Sequence, residues 1–118
     1  MSKRTEEDLL QDILEGARRI LLYTENMDYD AFLEDLKTQD AVIRNLEIIG
    51  EASKNLSEEF QKTQTEVPWK SISGMRDKLI HDYFGVNVDI VWGVVTEDLS
   101  RLVNQISQII STIDNKTN

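Results

Sequence analysis

The segment GMRDKLIHDYF, residues 74–84, contains the only histidine of the chain, His81, with Arg76 and Tyr83 close by. An imidazole with an ordinary pKa near 6.5 can take or give a proton around neutrality. A guanidinium can grip an anion through paired N–H donors. At about 100° per residue, Trp69, Ile72, Leu79, Ile80 and Tyr83 fall within roughly 60° of Arg76 on one helix. Arg76 therefore sits in the middle of an apolar face, where a cation needs a compensating partner. Two candidates can compensate it: the acids Glu47 and Glu51, one turn apart on a preceding helix, or an anion brought by a ligand. His81 lies about 140° around the helix from Arg76. The two do not converge on one small target from a straight helix, so either the helix distorts near its end or the site is built from two chains. Tyr83 is on the side of Arg76, where its phenol can gate the same region. Residue chemistry alone leaves three readings open: a structural Arg–acid pair, a histidine answering a helix dipole, or an acid–base site.

Composition narrows the chemistry. The chain has no cysteine and one histidine, so no thiolate or histidine-rich metal site is available. Its formal net charge of −9 argues against broad electrostatic affinity for nucleic acid. Locally the balance reverses: from Lys70 to His81 the bases Lys70, Arg76 and Lys78 face the single acid Asp77. The apolar runs are too short to span a bilayer, and MSKRTEEDLL lacks the apolar core of a signal peptide, so a cytoplasmic protein is expected.

The 118 residues suit one domain, taken as 1–118, and one proline with five glycines favours long helices. A first helix is expected from an N-cap at Thr5, with Leu9, Leu10, Ile13, Leu14, Ala17, Ile20 and Leu21 at helical spacing. Residues 24–29 break that period, and Asp30 is expected to cap a short helix. A long helix is expected from about Thr38 to Gln61, and a third, opened by Pro68, from about Trp69 to Tyr83 with Gly85 as its stop. Asn87 or Asp89 should cap the last helix, whose tail DNKTN is expected to fray. That helix is apolar on more than one side (Val94 with Val95, Ile109 with Ile110), which fits either a central position or a subunit interface. Four amphipathic helices with short loops predict an all-α antiparallel bundle.

RDKLIHDY has the form Arg, four residues, His, one residue, Tyr, with a polar residue after the arginine. It resembles the signature of HEPN ribonucleases, and in particular the HepT toxin family. KTQDAVIRNLEIIGEASKNLSEE is similar to the family's second long helix, and VPWKSISGMRDKLIHDYFGVNVDIVW to its third helix and following turn. The resemblance covers nearly the whole chain. It implies a homodimeric four-to-five-helix bundle in which Arg76 and His81 of both protomers meet in a cleft. It also implies metal-independent endoribonuclease activity without a cofactor, on RNA and not DNA because the attacking group is a ribose 2′-OH. Arg76 and His81 become the catalytic pair, Asp77 fills the auxiliary polar slot where asparagine is more usual, and Lys70 and Lys78 are RNA-binding candidates. Tyr83 matches the tyrosine to which a minimal nucleotidyltransferase antitoxin adds AMP, in a type VII-like toxin–antitoxin pair. The alternative is a non-catalytic helical module that docks such a nucleotidyltransferase or a nucleotide. A structural dimerisation bundle would explain the apolar last helix but not the arginine on an apolar face.

Overall fold

The computed structural model describes residues 5–81 and 87–117, apart from the side chains at 76, 79–81 and 116–117. Every regular element among them is helical: α1 (Glu6–Tyr23), α2 (Tyr29–Glu34), α3 (Leu36–Asn55), α4 (Glu58–Thr63), α5 (Trp69–His81), α6 (Val88–Gly93) and α7 (Leu99–Thr117). A π-helical turn over Val94–Asp98 joins α6 to α7. The expected all-α bundle is therefore present.

Each start follows from a local cap. Thr5 accepts from the Asp8 amide while Asp8 accepts from the Thr5 amide, a reciprocal capping box that opens α1 as expected. Thr24 closes that helix by donating its hydroxyl to the Ile20 carbonyl at 2.8 Å. Asn26 then turns the chain at φ 63°, a left-handed conformation that asparagine tolerates. Asp28, and not the expected Asp30, caps α2, since its carboxylate reaches the Ala31 amide at 2.8 Å. Asp30 lies inside the first turn, where a negative charge meets the helix dipole.

The long helix expected over 38–61 is two helices. Asp35 starts α3 earlier by accepting from both the amide and the hydroxyl of Thr38. The helix ends at Asn55, because buried Leu56 turns extended and Ser57, backed by Glu58 and Glu59, caps α4. α5 begins at Trp69 as expected. Its expected end at Tyr83 and the stop at Gly85 lie outside the described residues. Asn87, one of the two expected caps, opens α6 by accepting from the Asp89 amide.

Packing explains the rest. α1 and α3 run antiparallel, since the Ser57 amide beyond the end of α3 meets Glu6 at the start of α1. Gly16 lets them approach closely: a Cβ there would stand 3.0 Å from the Ile49 side chain. α5 packs on the other flank of α3, and α7 on α1. The core runs between these helices through Leu10, Ile13, Val42, Ile49, Leu99 and Ile106. Ile109 and Ile110 are both buried within the one chain, so they do not call for a second copy. At the π turn the Thr96 hydroxyl bonds back to the Trp92 carbonyl at 3.0 Å, and the widened turn keeps Val91, Val95 and Leu99 buried at four-residue spacing.

The tail expected to fray is helical through Thr117. Near its end the Asp114 carboxylate faces Glu7 at the start of α1, and its hydrogen bond and charge push the Glu7 carboxyl above its ordinary 4.5. A raised carboxyl pKa adds stability that is complete at low pH and disappears as pH rises through the folded value. Thermal melts should therefore show the wild type losing stability relative to Glu7→Gln as pH rises above the ordinary 4.5 of a glutamate. Parallel curves would contradict the raised Glu7 carboxyl.

Candidate active site

The helix carrying the motif is fixed mainly at its start. The buried Trp69 ring packs against Phe60 of α4, and its indole N–H donates to the Gln64 carbonyl at 2.9 Å. Gln105 of α7 donates to the Glu66 carbonyl at 3.1 Å, tying the preceding loop to the bundle. The Ile72 amide bonds the Pro68 carbonyl, so proline stands just ahead of the helix and sacrifices no donor.

Burial along α5 divides it into two faces. Trp69 is buried, and Ile72, Ser73 and Met75 are half-buried. Lys70, Ser71, Gly74, Asp77 and Lys78 are exposed. The register places the backbone of Arg76 between those of Trp69 and Ile72, on the inward face. The backbone of His81 falls within about 40° of Lys70 and Asp77, on the outward face. α5 remains helical through His81, so no break in the helix turns Arg76 and His81 toward each other. Lys70 and Lys78, the RNA-binding candidates, lie along the outward stripe with Asp77 between them. Tyr83 lies outside the described residues, as do the side chains of Arg76 and His81.

Glu47, one of the two acids offered as a partner for the arginine, pairs with Arg44 of its own helix at 3.5 Å. Glu51 is exposed. Among the described residues no group of three or more acids or histidines is placed to hold a metal ion.

The structure adds a feature that periodicity did not reveal. A groove of about 280 Å³ runs between α5 and α7, floored by Leu46 and Ile49 of α3. Ser71, Ile72 and Met75 form one wall, Val94, Leu99 and Leu102 the other, and Asp98, Arg101 and Gln105 line it as well. Arg101 thus brings a second cation near the motif helix. Its only signal in the sequence was a charge three residues after Asp98 on an amphipathic helix, a pattern shared with ordinary solvated faces.

These features define a small all-α bundle whose α5 carries the arginine and the histidine of the Arg-x4-His-x-Tyr motif. The chain belongs to the HepT-like ribonuclease family, whose model, described as "Ribonuclease HepT-like", matches residues 13–109 and so includes the whole motif. It is 46% identical over 114 residues to the Methanocaldococcus jannaschii protein named "Putative RNase", covering 97% of this chain and 94% of that one. It is 47% identical over 107 residues to the "Probable ribonuclease HepT" of Thermococcus cleftensis, covering 91% and 97%. A further putative RNase, from Caldanaerobacter subterraneus, is 40% identical over 107 residues, covering 91% and 96%. No solved structure matches significantly. No helix among the described residues is long and apolar enough to cross a membrane.

Proposed function

We propose that the chain is a single-domain, cytoplasmic, metal-independent endoribonuclease that works as a homodimer, the toxin of a pair whose antitoxin is a minimal nucleotidyltransferase. Its family membership supports RNA as the substrate. The observation that carries the two-chain site is the register of α5. Arg76 and His81 lie about 140° apart on a helix that stays regular through His81, so one copy carries the two positions on different faces of α5. A second copy completes both the acid–base pair and the phosphate clamp.

In this reading one His81 takes the proton from the ribose 2′-OH as the O2′–P bond forms. The other His81 delivers a proton to the O5′ leaving group as the P–O5′ bond breaks. The products are a 2′,3′-cyclic phosphate and a 5′-hydroxyl. Arg76 holds the scissile phosphate and offsets the charge that grows on its equatorial oxygens. Lys70 and Lys78 guide the flanking phosphates along the outward stripe. AMP transfer to Tyr83 would add bulk and negative charge two residues from His81, opposing the substrate phosphate.

The test is cleavage of a labelled RNA in excess EDTA by wild type and Arg76→Ala, with end-group analysis of the products. Wild type should cut and leave cyclic phosphate ends, and Arg76→Ala should lose at least about 100-fold in rate. Equal rates would remove Arg76 from the mechanism. Loss of wild-type activity in EDTA would remove metal independence. No cleavage by either protein, with Mg²⁺ as well as in EDTA, would favour the non-catalytic docking module.

A further inference from the structure

The end of the bundle formed by α2 and α6 exposes apolar side chains that the core does not use. Leu36 is 70% exposed, Ile90 58% and Leu33 45%. Tyr29 lies one helical turn before Leu33 and hydrogen-bonds Asp89, which directly precedes Ile90. Beneath them the Phe32 and Trp92 rings pack with centroids 5.0 Å apart, so the two short helices present their outer side chains together. Gln39 adds a clamp by donating to the Phe32 and Leu33 carbonyls at the end of α2. The patch is thus mounted on fixed backbone, and Tyr29 is held by Asp89 rather than left to rotate.

The surrounding charge is mostly negative, with exposed Lys37, next to Leu36, as the exception. From Ile20 to Leu36 the chain carries Glu25, Asp28, Asp30, Glu34 and Asp35 and no Lys or Arg. Four of these five acids are fully exposed, and Asp89 adds another from α6. Such a rim repels RNA phosphates. It also disfavours self-pairing, because a two-fold contact through this patch would set the same carboxylates against one another. Charge complementarity leaves a basic partner surface.

We infer that the α2–α6 end is a docking surface for a protein segment that presents aliphatic side chains flanked by lysine or arginine. Leu33, Leu36 and Ile90 supply the apolar anchors, and Asp30, Glu34 and Asp89 pair with the flanking cations. Ile90 follows His81 by nine residues, so chain length alone keeps the two within about 32 Å. The inference does not depend on catalysis and goes beyond the nuclease reading.

The probe is a fluorescein-labelled amphipathic helix of 18 leucines and lysines, read by fluorescence anisotropy across a salt series. Two controls replace its lysines by glutamate or its leucines by serine. The wild-type protein should bind the leucine–lysine peptide and neither control. Leu33→Ser combined with Ile90→Ser should weaken binding about tenfold or more. Asp30→Asn with Glu34→Gln should weaken it and flatten its salt dependence. Glu58→Gln with Glu59→Gln, an equal charge change on α4, should leave it unchanged. Circular dichroism confirms the fold of each variant, and the charge pair carries the test if the apolar pair fails to fold. Absence of binding, or equal binding by the α2–α6 variants, overturns the proposal. So does wild-type self-association abolished by the same substitutions, which would assign the patch to a second copy. Loss of single-stranded RNA binding in those variants would assign it to nucleic acid and overturn it equally.

Discussion

His81→Ala should lower the rate of RNA cleavage by about 10²- to 10⁴-fold, the usual contribution of positioned acid–base groups, while leaving the melting curve nearly unchanged. α5 is anchored from its other end, by Trp69 against Phe60 and Gln64. The pH profile gives the same prediction a sharper form. A pair of histidines acting as base and acid needs one neutral and one protonated ring, so the rate should rise and fall around a maximum near about pH 6.5. Asp77 is exposed and stands four residues before His81, one turn earlier in the register of α5. A carboxylate so placed stabilises imidazolium, so Asp77→Asn should move the maximum to lower pH. A monotonic profile, or a maximum unmoved by Asp77→Asn, would contradict the acid–base assignment.

Phe32→Ala should produce the largest loss of stability among single truncations of the small helices, about 3–5 kcal/mol. The ring is fully buried and lies 5.0 Å from Trp92. α2 is only six residues long and cannot persist on its own hydrogen bonds. It is held to the bundle by this ring, by the Tyr29–Asp89 bond and by Gln39. Since domains of this size are stable by about 5–15 kcal/mol, the variant should melt about 10–20 °C below wild type. Leu33→Ala, one residue away but exposed, should change stability by less than about 0.5 kcal/mol. A Phe32 cost under about 1 kcal/mol would mean that the α2–α6 end contributes little to cooperative folding.

The sequence was most legible where a single stripe of side chains meets the core. Leu9 to Ile20 and Val42 to Ala52 are apolar at helical spacing and are buried as periodicity predicts. It was less legible where a polar side chain chooses between a helical interior and a cap. Asp28 and Asp30 are chemically equivalent, and only the left-handed turn at Asn26 decides that Asp28 sits at the boundary. Ser57 broke a helix that apolar spacing would have carried on to Gln61. The π turn left no periodic trace, because the four-residue spacing of Val91, Val95 and Leu99 also fits an ordinary helix. The end of α7 was misjudged because the hydrogen bond that holds Asp114 to Glu7 joins residues more than 100 positions apart. At the site, the division of α5 into an inward face around Trp69 and Ile72 and an outward stripe from Lys70 to Lys78 was readable from helical geometry. The groove lined by Arg101 was not, since it depends on how far α5 and α7 stand apart across α3.

The most direct test of a site shared by two copies is subunit mixing. Wild type and His81→Ala are unfolded together, refolded at equal amounts, and assayed at constant total protein. If both histidines of a dimer are required, only dimers with two wild-type chains cut, and activity should fall to about a quarter of the pure wild-type value by random pairing. Activity that stays at about one half, tracking the wild-type fraction linearly, would show that each chain works alone and would contradict the composite site.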